Sequence, residues 1–167
     1  MSRKESLINQ LNLQAHPEGG YFAETYRSDD TIPIRESGSP DYPEGRSYAT
    51  SIYYLLTHED VSNFHRLKSD EIWHHYEGSP ATIHIIRPGG SYSALKLGTH
   101  VEKGQRYQHT VPGGVWFAVT VDDPDGFFLA GCTVAPGFDF KDFELADRRQ
   151  MLDLFPEHEE IILRLYK

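Results

Sequence analysis

The stretch Phe64–Gly78 reads F-H-R-L-K-S-D-E-I-W-H-H-Y-E-G, and its period decides the fold. From Glu71 onward it is read as a strand, in which successive side chains point to opposite faces. Glu71, Trp73, His75 and Glu77 then share one face, with Ile72, His74 and Tyr76 on the other. His65, on the preceding strand, adds a third polar group. A carboxylate and imidazoles gathered on an interior face can bind a divalent metal or transfer protons.

The pattern continues in both directions. Short runs rich in Tyr, Phe, Val, Ile and Thr, punctuated by Gly, Pro, Asp and Ser, predict strands near Tyr21–Arg27, Ser47–Leu56, Asn63–Leu67, Glu71–Tyr76, Ala81–Arg87, Tyr92–Leu97, Arg106–Val111, Val115–Val121 and Phe127–Val134. Two P-G-G triplets, Pro88–Gly90 and Pro112–Gly114, are turn chemistry between strands. So many strands without intervening helices predict an all-β body, a sandwich or a closed barrel, spanning about residues 20–145.

Terminal helices flank this body. Ser2-x-x-Glu5 has capping-box spacing, and Leu7, Ile8 and Leu11 come next at helical intervals, predicting a short helix over about residues 3–12. Two short helices, Asp147–Phe155 and Pro156–Tyr166, are expected over about 147–166; the second has Pro first, acids in its first turn and Arg164 near its end. His16-Pro17-Glu18-Gly19-Gly20 reads as a chain reversal, since no Lys-Ser/Thr comes after it to make a phosphate loop. Ser28–Arg46 is polar, proline-punctuated and long, and reads as a flap or surface excursion. Pro136–Leu145 alternates phenylalanines with acids, which predicts rings pinned on the outer wall and no catalysis.

At 167 residues, 38% hydrophobic and 25% charged, with 10 Tyr, 9 Phe and 2 Trp, the chain is read as one domain, 1–167, with enough apolar mass for a core. A net charge of −9 has the wrong sign for general attraction to nucleic acid or anionic lipid. No apolar run approaches a membrane span and no secretory signal opens the chain, so the expected location is cytoplasmic. Cys132 has no second thiol to pair with and reads as a small core residue.

The spacing from Glu71 to Gly78 resembles the E-x6-G half of the first cupin motif. His65 stands at the first motif histidine, whereas Leu67 holds the second position. Pro112-Gly113-Gly114-Val115-Trp116-Phe117 resembles the second motif, with Phe117 at its metal-binding histidine. Further stretches, His16–Ser28, Ser69–Gly78, Val111–Phe117 and Ala135–Asp147, are similar to a small single-domain cupin family of unassigned function. The resemblance covers about Leu7 to Leu165. It implies a cupin-type double-stranded β-helix barrel, assembled as a homodimer, with a pocket inside.

That pocket admits three readings. In the first, a small organic ligand, sugar-like, undergoes metal-independent isomerase or epimerase chemistry, with His65 and Glu71 as the catalytic pair and an acid drawn from the tyrosines, Tyr53, Tyr76 or Tyr107. Trp73, His75, Trp116 and Phe117 would then bind the ligand, aromatic faces suiting a sugar ring. In the second, His65, Glu71 and His75 hold a divalent transition metal. In the third, the barrel binds or stores a ligand without turning it over.

Overall fold

The computed structural model describes residues 2–32, 42 and 44–166. Among these the chain runs α1 (Arg3–Gln10), β1 (Gln14–Ala15), β2 (Tyr21–Arg27), β3 (Thr31–Ile32), β4 (Arg46–Ser47), β5 (Thr50–Thr57), β6 (Ser62–Leu67), β7 (Asp70–Gly78), β8 (Ala81–Ile86), β9 (Tyr92–Leu97), β10 (Gln108–Val111), β11 (Trp116–Val121), β12 (Phe127–Ala135), β13 (Phe143–Leu145), α2 (Arg148–Leu154) and α3 (Glu159–Arg164). The middle of the expected Ser28–Arg46 flap, residues 33–41 and 43, lies outside the described residues. Among those described, no helix is long and apolar enough to cross a membrane.

Two antiparallel sheets form the barrel. One has the order β1-β2-β5-β12-β7-β10 and the other β13-β6-β11-β8-β9, with β3 and β4 as a separate pair. The order is far from sequential: β12 inserts between β5 and β7, so the chain's late strand completes the early sheet. That interleaving, with the barrel's inward faces packed together, is the double-stranded β-helix of cupins.

Strand alternation sorts the apolar side chains into three clusters. Inside the barrel lie Tyr54, Leu56, Trp73, Ile83, Ile85, Phe117, Val119, Phe128 and Cys132. On the outer face of the smaller sheet, Phe64, Ile86, Trp116 and Ala118 meet Met151, Phe155 and Ile162 of the C-terminal helices. On the outer face of the larger sheet, Leu55 and Leu129 pack under Leu7 and Leu13 at α1. In β5, therefore, Tyr54 and Leu56 point in while Leu55 points out, as a period of two demands. The expected capping box closes α1: Ser2 Oγ accepts from the Glu5 amide, and Glu5 Oε2 accepts from the Ser2 amide.

One irregularity governs the site. Opposite β12, strand β7 keeps register from Asp70 through His75, after which Ala130 pairs with His75 but Leu129 with Glu77. Tyr76 is the extra residue of a β-bulge, and a bulge reverses the parity of the residues beyond it. Glu77 consequently faces out and forms an ion pair with Arg3 of α1 at 2.7 Å, whereas Glu71 and Trp73 face in. The expectation that Glu71, Trp73, His75 and Glu77 share one face holds only before the bulge.

Candidate functional site

A cavity of about 270 Å3 opens inside the barrel, bounded by β2, β5, β6, β7, β12 and the segment leading into β13. His65, Glu71 and Trp73 all line it, and Cys132 contributes to its wall. Its apolar surface comes from Phe22, Ile52, Tyr54, Leu67, Trp73, Val134 and the phenylalanines 138, 140 and 143.

The centre holds a residue that the sequence reading assigned to a turn. Glu18 is 5% exposed and His65 2% exposed, with Glu18 Oε2 3.1 Å from His65 Nε2. His16-Pro17-Glu18-Gly19-Gly20 does reverse the chain, with Gly19 and Gly20 at φ of 115° and 70°, but it also drives the Glu18 carboxyl inward. Ser62 Oγ donates to Glu18 Oε1 at 2.8 Å. The Glu18 carbonyl accepts from both the amide and the side-chain Nδ2 of Asn63, each at 2.8 Å. Tyr54 Oη donates to the Gly19 carbonyl at 2.7 Å. A side chain at Gly19 would run into the Val61 carbonyl, so glycine there is a packing requirement as well as a conformational one.

The hydrogen bonds fix the protons. His65 Nδ1 lies 2.7 Å from the Asn63 carbonyl, which can only accept, so Nδ1 carries a hydrogen. In the neutral ring Nε2 is then an acceptor, and a single proton must lie between it and Glu18 Oε2. Burial lowers the His65 pKa to about 4 and raises that of Glu18, so both shifts place this proton on the carboxyl. His16 is fixed in the opposite tautomer: its Nδ1 accepts from the Glu18 amide at 3.3 Å, leaving the hydrogen on Nε2, and burial lowers its pKa too.

Glu71, 7% exposed, is the second acid. Burial raises its pKa to about 8, against a smaller opposing effect of the Trp73 hydrogen bond. At neutral pH it is a carboxylic acid. Trp73 Nε1–H can only donate, and it donates to Oε2 at 3.0 Å. Oε2 is therefore the carbonyl oxygen, and the acidic hydrogen belongs on Oε1. Among the described residues Oε1 has no protein partner. The site therefore contains a one-proton His65–Glu18 pair and a separate, un-ionised acid.

Several expected ligand-binding residues lie elsewhere. His75 packs on Phe128, ring centres 5.6 Å apart, has Nε2 3.3 Å from the Ser79 carbonyl, and lines a different groove beside Gly78, Pro80 and Asp123. Trp116 belongs to the outer cluster under the C-terminal helices, with the Arg66 guanidinium 4.5 Å above its ring. Phe117 faces inward but supports His65 from behind, centroids 4.1 Å apart, and is not on the cavity surface. Among the candidate tyrosines, Tyr53 and Tyr76 contact each other at 6.1 Å, while Tyr76 and Tyr107 are 53% and 56% exposed; the cavity's tyrosine is Tyr54. The segment Pro136–Leu145 is not confined to the outer wall. Phe138, Phe140 and Phe143 form the cavity's rim, where His16 meets Phe140 and Phe143 at about 6 Å.

The donor set does not fit the metal centre of the cupin motif. Leu67 and Phe117 occupy two of its positions, and neither side chain can ligate. His65 uses both ring nitrogens, on Asn63 and Glu18, and His75 lies in the other groove. Among the described residues no group of three His, Cys, Asp or Glu side chains gathers to hold a metal ion.

The interleaved two-sheet barrel enclosing a polar-centred cavity defines a cupin. The family profile described as Cupin superfamily (DUF985) matches residues 5–146, and the chain belongs to that family. It is 35% identical over 150 residues to the uncharacterized protein YML079W of Saccharomyces cerevisiae, covering 84% of this chain and 74% of that one. Among solved structures, protein SO0799 from Shewanella oneidensis is similar with a TM-score of 0.88 and 36% identity, covering 100% of this chain and 99% of that one. A hypothetical protein from Leishmania major also has a TM-score of 0.88, at 37% identity, with 99% and 100% covered. Oxalate decarboxylase from Bacillus subtilis, at 14% identity and a TM-score of 0.56, with 95% of this chain and 38% of that one covered, shares the fold alone.

Proposed function

We propose that this cupin is a metal-independent proton-transfer enzyme of the isomerase or epimerase type, acting on a small carbonyl compound held in the barrel cavity. The observation that carries the reading is the pairing of a one-proton His65–Glu18 couple with an un-ionised Glu71 in one buried space. General acid–base catalysis needs a base and an acid of separated proton affinity within reach of the same molecule, and burial creates that separation here.

The pair acts as one base. Glu18 accepts a proton from the carbon next to the carbonyl as its own proton passes from Oε2 to His65 Nε2. The imidazolium that forms keeps its Nδ1–H on the Asn63 carbonyl. The electron pair of the broken C–H bond becomes the C=C bond of an enol, and the carbonyl oxygen takes the proton from Glu71 Oε1. Return of a proton to carbon, on the other face or at the neighbouring position, gives the isomer and restores the groups without net oxidation. Phe117 and Phe143 flank the His65 ring, holding its orientation and excluding water, which strengthens each charge interaction at this step.

The test is incorporation of solvent deuterium at carbon. A panel of aldoses, ketoses and simple α-hydroxyketones incubated in D2O with the protein is expected to exchange a carbon-bound hydrogen, with Glu18→Gln slowing exchange at least about a hundredfold, as loss of a general base does. Tight ligand binding without exchange in any member would leave a binding protein and end the catalytic reading.

A further inference from the structure

We infer that the cavity selects an uncharged, unphosphorylated carbonyl compound of about monosaccharide size, and that the Glu24–Arg27 pair on its lining keeps it from binding phosphorylated analogues. The carbonyl rests on the reaction proposed above; the exclusion of charge rests on the inventory of ionisable groups alone.

That inventory is one-sided. The lining contains four carboxyl groups, of which Glu18 and Glu71 hold protons, so the carboxylates of Glu24 and Asp139 stand against a single permanent cation, Arg27. Its two histidines are both driven toward the neutral form by burial. Arg27 is already engaged: Nε and Nη2 donate to the two oxygens of Glu24 at 2.9 and 2.7 Å, and Nη1 donates to the Phe138 carbonyl at 3.1 Å. The fork that would grasp a phosphate is closed on a carboxylate of the same shape. A phosphate displacing it would still meet the Glu24 charge.

A longer ligand finds no better reception next door. Across Leu67 and Phe143 lies a groove lined by Arg66, Lys68 and Lys141, but its cations sit against carboxylates. Arg66 pairs with Glu144 at 2.6 Å, Lys141 with Glu44, and Asp142 takes both Arg46 at 2.6 Å and Lys68 at 3.4 Å. The four cations face three carboxylates, a surplus of one positive charge, and each cation is already held against a carboxylate.

The cavity does offer neutral hydrogen bonding between apolar walls. Among the described residues Glu71 Oε1 and His16 Nε2 lack a protein partner, and the tautomers derived above make both of them donors. Two donors serve two uncharged oxygens, a carbonyl and a hydroxyl, while the rings of Phe22, Trp73 and Phe138 suit the C–H faces of a sugar. The volume of about 270 Å3, roughly nine waters at about 30 Å3 each, fits a molecule of that size.

The experiment is calorimetric titration of the full chain at pH 7 with matched pairs: dihydroxyacetone, ribose, fructose and glucose, each against its monophosphate. At least one neutral member is expected to bind, at least about tenfold tighter than its phosphate, the discrimination that two nearby carboxylates and an already engaged Arg27 impose. Glu24→Gln, which frees Arg27, is expected to narrow that ratio by about tenfold through tighter phosphate binding. A phosphate binding as tightly as its neutral partner in the unaltered protein, no neutral member binding at millimolar concentration, or an unchanged ratio in Glu24→Gln would overturn the inference. Binding and deuterium exchange separate the two claims. Neutral sugars that bind without exchange sink the catalytic reading and leave the selectivity standing, whereas exchange in phosphates alone does the reverse.

Discussion

Replacing Glu71 by Gln is expected to make the protein more stable above pH 6.5, and the gain can be worked from the site. The native carboxyl has a pKa of about 8 against an ordinary value of 4.5, so between these values the folded state holds a proton that the unfolded chain releases. Stability rises with pH only where the unfolded state binds more protons. Here the folded state binds more, so Glu71's contribution is intact below pH 4.5 and is progressively lost up to about pH 8. At pH 7 the difference of about two and a half units, at about 1.36 kcal/mol each, is on the order of 3 kcal/mol. Gln removes that pH-dependent loss while preserving the shape: its carbonyl oxygen accepts from Trp73 Nε1–H, and its amide offers N–H where the acid offered O–H.

Other groups titrate across the same range with the opposite sign. His65 and His84 are each lowered from 6.5 to about 4 by burial, so the unfolded chain binds more protons between those values and stability climbs as pH rises toward 6.5. The unaltered protein should therefore lose stability to its histidines on the acid side and to Glu71, joined by Glu18 whose pKa burial also raises, on the alkaline side. The assay is urea unfolding of both proteins at half-unit steps from pH 5 to 8.5. The histidine contribution cancels in the difference, which should widen by about 1.4 kcal/mol per unit between pH 5 and 8 and then level. Parallel curves, or a Gln variant less stable than its parent at pH 8, would refute a buried, un-ionised Glu71.

The activity proposed above should trace a bell with limbs near pH 4 and pH 8, because it needs His65 neutral and Glu71 protonated; a flat profile of deuterium exchange across that span counts against these roles. Asp142→Asn strands the Arg46 guanidinium, which Asp142 holds through bonds of 2.6 and 2.9 Å in a buried pair, and should cost about 3–5 kcal/mol in urea unfolding. Gly19→Ala places a methyl against the Val61 carbonyl at a φ of 115°; a loss of about 1–3 kcal/mol is expected, with displacement of Glu18 read as a changed His65 imidazole titration.

The barrel was legible because its strands carry their own pattern. Tyr21–Arg27 and Tyr92–Leu97 match the expected strands residue for residue, each bounded by turn residues. The strands missed, β1, β3, β4 and β13, are two or three residues long, too short for periodicity and defined only by their distant partners. At the site, parity placed Glu71 and Trp73 on the inward face, and it failed at Tyr76 for a physical reason. A bulge is a mismatch between two strands, set by how Leu129 and Ala130 fall opposite Glu77 and His75, and a single strand's sequence does not contain it.

Glu18 and the phenylalanine rim were hidden by a related cause. A turn sequence specifies backbone, and the glycines after Glu18 announce a reversal whether its carboxyl faces water or the barrel. The deciding partners are Ser62 and Asn63, far along the chain, which hold the Glu18 side chain and carbonyl. Likewise, phenylalanines alternating with acids fit an outer wall as well as a cavity mouth. The choice is made when the Phe138 amide donates to Thr50 Oγ and Asp142 closes on Arg46, contacts spanning 88 and 96 positions. Residues whose surroundings are local reveal their direction in sequence; those aimed by remote partners do so only once the chain has closed. The resemblance to the cupin motif drew attention to positions 65, 67, 71 and 117, which are local to two strand pairs, and so it could register the missing metal ligands at Leu67 and Phe117 but not the carboxyl that Glu18 brings to His65 from another part of the fold.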